Sequence, residues 1–389
     1  MLQYLIKVYM KESIHINHEV LVWARESLAL NQAQASESTG ISPKRLVQLE
    51  SGGKQPTLAE LKAFSKTYKR TIATLLLNNP PKEKPFPADR RSIDSKELGY
   101  FHEKTIMAVR KARALAQSFV ELREEMGMPF PKFNLSESLK NNPREVAEKI
   151  RQLLHLDEIR EIEHVRIALE VYIERIENLG IAVFQLSLTQ DNVRGFAIVD
   201  DLIPIIGIKR GGEQDHSKTF TLFHELGHIL LNENAISDLS LNPQWEVEKW
   251  CNAFAAEVLV PSEELLRMDI VRSYQEQGQE EWLLKDLTEL GRHFHVGPLA
   301  ILRSLFEQKL TTAAFYKEKH KQWNKPPFAR AKNSEGRDLA KEAVQEKGKT
   351  YISLAFMAFD QNRINIKDLS DFLGVKLSYI PKARQFLNA

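Results

Sequence analysis

The sequence predicts a mostly helical α+β chain with three parts: an N-terminal helix-turn-helix bundle, a body holding a small, mostly antiparallel sheet followed by a histidine-bearing helix, and a small C-terminal helical domain. Three observations predict it. Apolar residues recur with a helical period over most of the chain, three short β-rich runs crowd into residues 181–209, and proline-rich stretches at 78–91 and 323–337 interrupt the helical pattern. A length of 389 residues fits two to four domains. The expected boundaries are 1–81 for the head, 82–155 for a linker and helical shoulder, 156–322 for the body and 338–389 for the tail.

Taken in order, the head opens with Asn17 as a cap for a helix through Leu21, Val22 and Leu28. An Ala-rich helix, a Thr39-Gly40-Ile41 turn, a helix opened by Ser42 and Pro43, and a helix announced by the Thr57/Glu60 capping-box pattern follow. Helical periodicity continues over 100–154, with Pro143 in a first turn. After a helix over 165–178, Leu179-Gly180 ends the pattern, and the runs IAVFQL, RGFAIVD and IPIIGIK read as strands at hairpin-like spacing. From about Ser217 the chain is helical again, and Pro261-Ser262 ends the next helix, 246–260. Helix, Gly turn and helix recur at 283–305 and 364–387. Their second helices are poor in cations, which favours packing or partner docking over DNA.

Composition excludes several classes. With 43% hydrophobic and 27% charged residues the chain is neither collagen-like nor wholly disordered. The single cysteine, Cys251, can form no internal disulfide and no Cys-based zinc finger, so a cytoplasmic location is expected. No apolar run approaches the ~18 residues of a membrane span, and the first residues lack the features of a signal peptide, so no membrane partner and no export are expected. Residues 1–91 carry 14 Lys and Arg against 8 Asp and Glu. A basic head before a slightly acidic body points to nucleic acid at the head.

His224-Glu225-Leu226-Gly227-His228 is an H-E-x-x-H motif. Residues four apart share one helical face, so both imidazoles can converge on one metal ion. Glu225 lies beside them, where it can deprotonate an activated water without being a ligand. The apolar flank from Phe220 to Leu231, directly after a strand, suits a buried zincin-type helix better than two surface histidines. A third ligand is needed, and helical phase on 246–260 selects Glu248, with Glu246 second. Glu257 falls on the opposite, solvent face. Cys251 reads as a small buried thiol rather than a fourth ligand. One zinc per chain would activate water and polarise a carbonyl while Glu225 shuttles the proton. The sequence does not identify an oxyanion partner: His216, His293 and His295 are candidates that each read first as structural or solvent-exposed, and a neighbouring edge strand could hold an extended peptide substrate.

In the head, Ser42, Lys44, Arg45 and Gln48 are expected to face the major groove of double-stranded DNA, with Gln32 and Lys54 near phosphates. Two cations on that face bind weakly alone, so a homodimer is expected. A helical bundle for protein contacts is the alternative.

FTLFHELGHILL, EKWCNAFAAEVLVP and the head segments VLVWARESLAL and PTLAELKAFSKTYKR together resemble the ImmA/IrrE-like zinc metallopeptidases that carry an N-terminal XRE-type helix-turn-helix. The resemblance implies a zincin-like (gluzincin) body, His224, His228 and Glu248 as zinc ligands and Glu225 as catalytic base. RHFHVGPLAILRSL matches a post-catalytic helical element, with Gly297 where a Ser is common. It further implies a site-specific endopeptidase that cleaves an XRE-type repressor or antitoxin, or, as the alternative, a non-proteolytic antitoxin or transcriptional regulator that docks a small toxin on the zincin body.

Overall fold

The computed structural model describes residues 14–83, 86–89, 103–188, 193–199, 202–211, 215–233, 235–237, 246–323 and 338–387. Contacts divide the chain into two units, 1–86 and 87–389. The shoulder, body and tail expected as separate stretches therefore fall within one unit.

In the first unit, α1 (His18–Glu26) is capped by Asn17, whose side chain accepts from the Glu19 amide at 2.9 Å. Next come α2 (Gln32–Thr39), α3 (Pro43–Glu50), α4 (Leu58–Tyr68) and α5 (Ile72–Leu75). Gly40, at φ 71°, makes the left-handed turn between α2 and α3, Ser42 caps α3 with Pro43 in its first turn, and Thr57 and Glu60 form the capping box of α4. Val20, Leu21, Leu46, Leu61, Phe64 and Tyr68 are fully buried between these helices. Buried charge holds the same bundle: Arg25 meets Glu50 at 2.7 Å, and the Gln32 side-chain amide donates to the second oxygen of Glu50 at 2.9 Å.

The second unit contains β1 (Ala88–Asp89), α6 (Glu103–Glu125), α7 (Pro143–Leu153), a 3-10 turn (Leu156–Glu161), α8 (Val165–Glu177), β2 (Ala182–Leu186), β3 (Gly195–Ile198), β4 (Ile205–Lys209), α9 (Asp215–Leu230), β5 (Ala235–Ser237) and α10 (Glu246–Leu259). It continues with α11 (Ser262–Arg267), α12 (Asp269–Glu276), α13 (Leu284–Phe294), α14 (Pro298–Glu307), α15 (Ala313–Trp323), α16 (Leu339–Lys347), α17 (Lys349–Asp360), α18 (Ile366–Leu373) and α19 (Ile380–Gln385). No described helix is long and apolar enough to cross a membrane.

The sheet runs β1-β5-β3-β4-β2 and is mixed rather than mostly antiparallel. β2 and β3 do run in opposite directions, as hairpin spacing suggests. β4 inserts between them, so β4 is antiparallel to β3 and parallel to β2. Spacing fixes the direction of consecutive strands but not which strand becomes the neighbour. β2, β3 and most of β4 are buried, which requires cover on both faces. α9 packs on β3 and β4, while α16 of the tail packs on β2 and α17 on α6.

The core that positions the site lies where α9, α10, α7 and α8 meet, with Leu222, Phe223, Leu226, Trp250, Phe254 and Tyr172 buried together. α10 is clamped at both ends. The Trp250 indole donates to the Asn141 carbonyl at 2.8 Å, and Arg151 and Arg160 donate to the terminal carbonyls of Val258 and Leu259, each at 2.8 Å. These arginines satisfy carbonyls that a helix end leaves without intrahelical partners.

Candidate metal centre and nucleic-acid interface

Helix α9 places His224 and His228 one turn apart, both 0% exposed, with their Nε2 atoms 3.2 Å from each other. Glu248 comes from α10 and is 2% exposed. Its Oε2 lies 3.1 Å from His224 Nε2 and its Oε1 3.2 Å from His228 Nε2. Close approach of the two helices makes this possible. A Cβ on Gly227 would lie 3.1 Å from Cys251 Sγ and 3.3 Å from the Cys251 Cα, so glycine in the middle of the motif lets α10 come near enough to present Glu248. Cys251 itself is buried and packs in that contact rather than joining the cluster.

The donor set fits a zinc ion. Ligands about 2.0–2.1 Å from zinc at tetrahedral angles sit roughly 3.3 Å from one another, and the two Nε2 atoms already stand near that spacing, each with one Glu248 oxygen 3.1–3.2 Å away. Among the described residues, His224, His228 and Glu248 form the group able to hold a metal. Burial pushes the Glu248 carboxyl up, but the hydrogen bonds and charges of His224 and His228 outweigh it and hold the group at about 2. The carboxylate is thus ionised at neutral pH, as a ligand must be. Glu246, the second choice for that role, is exposed on the far side of the same helix, and Glu257 accepts from the Ser262 amide at 2.8 Å and its hydroxyl at 2.7 Å.

Glu225 is 0% exposed and lies against the sheet: a Cβ on Gly195 of β3 would fall 2.6 Å from Glu225 Oε1 and 3.0 Å from its Cγ. Only glycine fits between strand and carboxylate. Motif scanning gives no sign of this, because Gly195 reads as an ordinary strand residue. Of the three histidines weighed for the oxyanion, His295 is 2% exposed and ties Tyr172, at 3.3 Å, to the Ile162 carbonyl, and His293 meets Glu264 at 2.7 Å. Both brace the fold. His216 lies on α9 two turns before His224, and burial lowers its pKa.

In the head, the expected reading residues divide. Lys44 and Ser42 are exposed and Gln48 is half-exposed on α3. Arg45 is engaged within the fold: its Nε and Nη2 donate to the two oxygens of Glu60 at 2.7 and 2.9 Å, and Nη2 also to the Gln55 carbonyl at 3.0 Å. The Gln32 side chain is held by Glu50, as described above. Its residue stands at the start of α2, where it is exposed. In the body, the second helix of each recurrent helix-turn-helix pattern packs inward, through Ile301, Leu302 and Leu305 on α14 and through Ile380 and Ala383 on α19.

The curated proteins contain no match to the chain. Residues 176–306 match the family model of the IrrE N-terminal-like domain, a metallopeptidase-type domain, and residues 21–75 match a helix-turn-helix model. The first match takes in β2–β5, both metal-site helices and α14, and the second takes in α1–α5. With both domains in this order, the chain matches the ImmA/IrrE family in the form that carries an N-terminal XRE-type helix-turn-helix.

Proposed function

We propose that the chain is a zinc-dependent, site-specific endopeptidase that cleaves a regulatory protein, an XRE-type repressor or an antitoxin, and that its head couples this activity to double-stranded DNA. The observation that carries the reading is the convergence of His224, His228 and Glu248 at ligand spacing with the Glu225 carboxylate on the same helical turn. One zinc per chain, held by those three residues, would supply a Lewis acid for the scissile carbonyl and lower the pKa of water. Glu225 takes the proton of the attacking water and passes it to the leaving amine. Its burial against Gly195 keeps that proton from bulk solvent. Lys44, Gln48 and Ser42 would read bases and phosphates, and a cytoplasmic homodimer would present two heads to a two-fold site.

The alternative, a non-proteolytic antitoxin or regulator that docks a small toxin on the body, is favoured by one observation: Glu225 is 0% exposed, so this conformation offers a substrate no path to it. Two measurements separate the readings. Elemental analysis should find about one zinc per chain in the wild type and none in His224→Ala. With zinc retained, Glu225→Gln should abolish cleavage of a co-expressed repressor or antitoxin. Unchanged repression or toxin neutralisation in that variant, with no wild-type cleavage, selects the scaffold.

A further inference from the structure

The strand that touches the catalytic carboxylate is β3, through Gly195. An extended peptide reaching Glu225 would pair with the edge of β3 away from β4, because β3 is the strand whose Gly195 faces the carboxylate. That edge is taken. β5 lies on it in antiparallel register, with Gly195 opposite Ser237, Phe196 opposite Ile236 and Ala197 opposite Ala235. The segment is the chain's own exit from the metal helix. Asn232, at φ 56°, turns the backbone at the end of α9, the Glu233 amide bonds back to the His228 carbonyl at 2.9 Å, and the chain pairs with β3 from Ala235.

We infer that β5 is a built-in occupant of the substrate edge, a pseudo-substrate strand that a cognate protein must displace before its own peptide reaches Glu225. The inference rests on the endopeptidase reading and supplies its regulation. Three features support it. The four residues of the centre are 0–2% exposed, so the site is closed with β5 in place. β5 spans three residues, and on its other side β1 pairs with it over only two, Ala88 with Ala235 and Asp89 with Ile236. Pairing this short contributes little stability, so a longer extended segment can replace it. Finally, β5 is tethered between α9 and α10, so it competes at the high effective concentration of an intramolecular ligand. Generic peptides lose that competition, and a partner with further anchoring contacts wins it.

The test needs neither metal nor substrate. Ala197 and Ala235 stand opposite each other, so Ala197→Cys with Ala235→Cys locks β5 onto β3 when oxidised and frees it when reduced. In metal-free protein, the rate at which diethylpyrocarbonate modifies His224 and His228, read by mass spectrometry against the exposed His164, reports access to the centre. Oxidation of the pair should slow that rate about tenfold relative to the reduced form, and Ile236→Pro, which removes a strand donor, should raise it about tenfold over wild type. Equal rates in the oxidised and reduced pair overturn the proposal even where Ile236→Pro fails to fold. Cleavage assays on zinc-loaded protein then separate the two readings. Gated access without cleavage of any partner removes the endopeptidase and leaves the displaceable strand. Cleavage that persists with the lock closed removes the strand's role and leaves the endopeptidase.

Discussion

The candidate metal centre and the candidate reading face of the head treat their charged residues differently. In the body, two imidazoles on one helix and a carboxylate on the next point at one another from 3.1–3.2 Å inside a fully buried core. In the head, one of the two cations expected on the reading face of α3, Arg45, is taken by Glu60, ten residues beyond the helix it belongs to, while Lys44 stays in solvent. Ligands four apart on one helix are brought together by the helix itself. An arginine on a surface helix can instead be claimed by an acid whose nearness only the tertiary fold creates.

The largest expected effect isolates chemistry from packing in the body. Glu225→Gln should reduce cleavage by about 10²–10⁴-fold, with zinc content and melting temperature unchanged. Metal loss in that variant would mean that Glu225 holds the site together rather than acting on substrate. The head should show the converse at Glu50, whose carboxylate holds Arg25 and Gln32 in a buried network. Glu50→Ala leaves the Arg25 charge buried and should destabilise the head by about 3 kcal/mol, read by denaturant unfolding of residues 1–86 followed through Trp23 fluorescence.

A second buried carboxylate in the body sharpens the contrast with Glu248. Glu177 is 3% exposed near the start of α17, and burial pushes it up to about 8, with Thr350, the Val183 amide and Arg123 only partly opposing. Its folded pKa lies above the unfolded value near 4.3, so the folded state binds the extra proton and stability declines as pH rises from about 4.3 to about 8. Glu177→Gln should remove that decline and stabilise the body by about 1–3 kcal/mol at pH 8, with little effect at pH 4, in thermal unfolding across that range.

Within the head, Lys44→Ala and Gln48→Ala should each weaken operator binding by about 1–3 kcal/mol at constant melting temperature, whereas Arg45→Ala should lower the melting temperature first. A half-exposed pair such as Arg45–Glu60 warrants no more than about 1 kcal/mol. If Arg45→Ala weakens DNA binding at unchanged stability, the division drawn between the residues of α3 is wrong. The smallest effect concerns Gly297, which caps α14 without a side chain. Gly297→Ser should add a few tenths of a kcal/mol, since serine is only slightly better than glycine at that position.

Much of this architecture is legible in the chain. His224 and His228 share a helical face by period alone, period puts Glu248 on the buried face of the next helix, and Ser42, Pro43 and the Thr57/Glu60 pair announce helix starts through backbone chemistry that involves only neighbours. Strands β1 and β5 are not legible. At two and three residues they carry no alternation, and their extended form depends on pairing with β3 and with each other. The place of β4 between β2 and β3, the Gly195–Glu225 contact and the diversion of Arg45 share that cause. Each depends on a partner brought close only once the chain has folded.

The tail has a consequence for the order in which the molecule forms. The head closes its core within 86 residues through contacts among its own helices, so it can fold while the rest is still being synthesised. β2, by contrast, is covered by α16, which begins at Leu339. Until translation passes that point, the buried strand β2, which α6 and α8 also touch, lacks part of its cover. A nascent chain therefore carries a finished helix-turn-helix head before it carries a finished peptidase-type body, and a message truncated before α16 would release a head with no completed body attached.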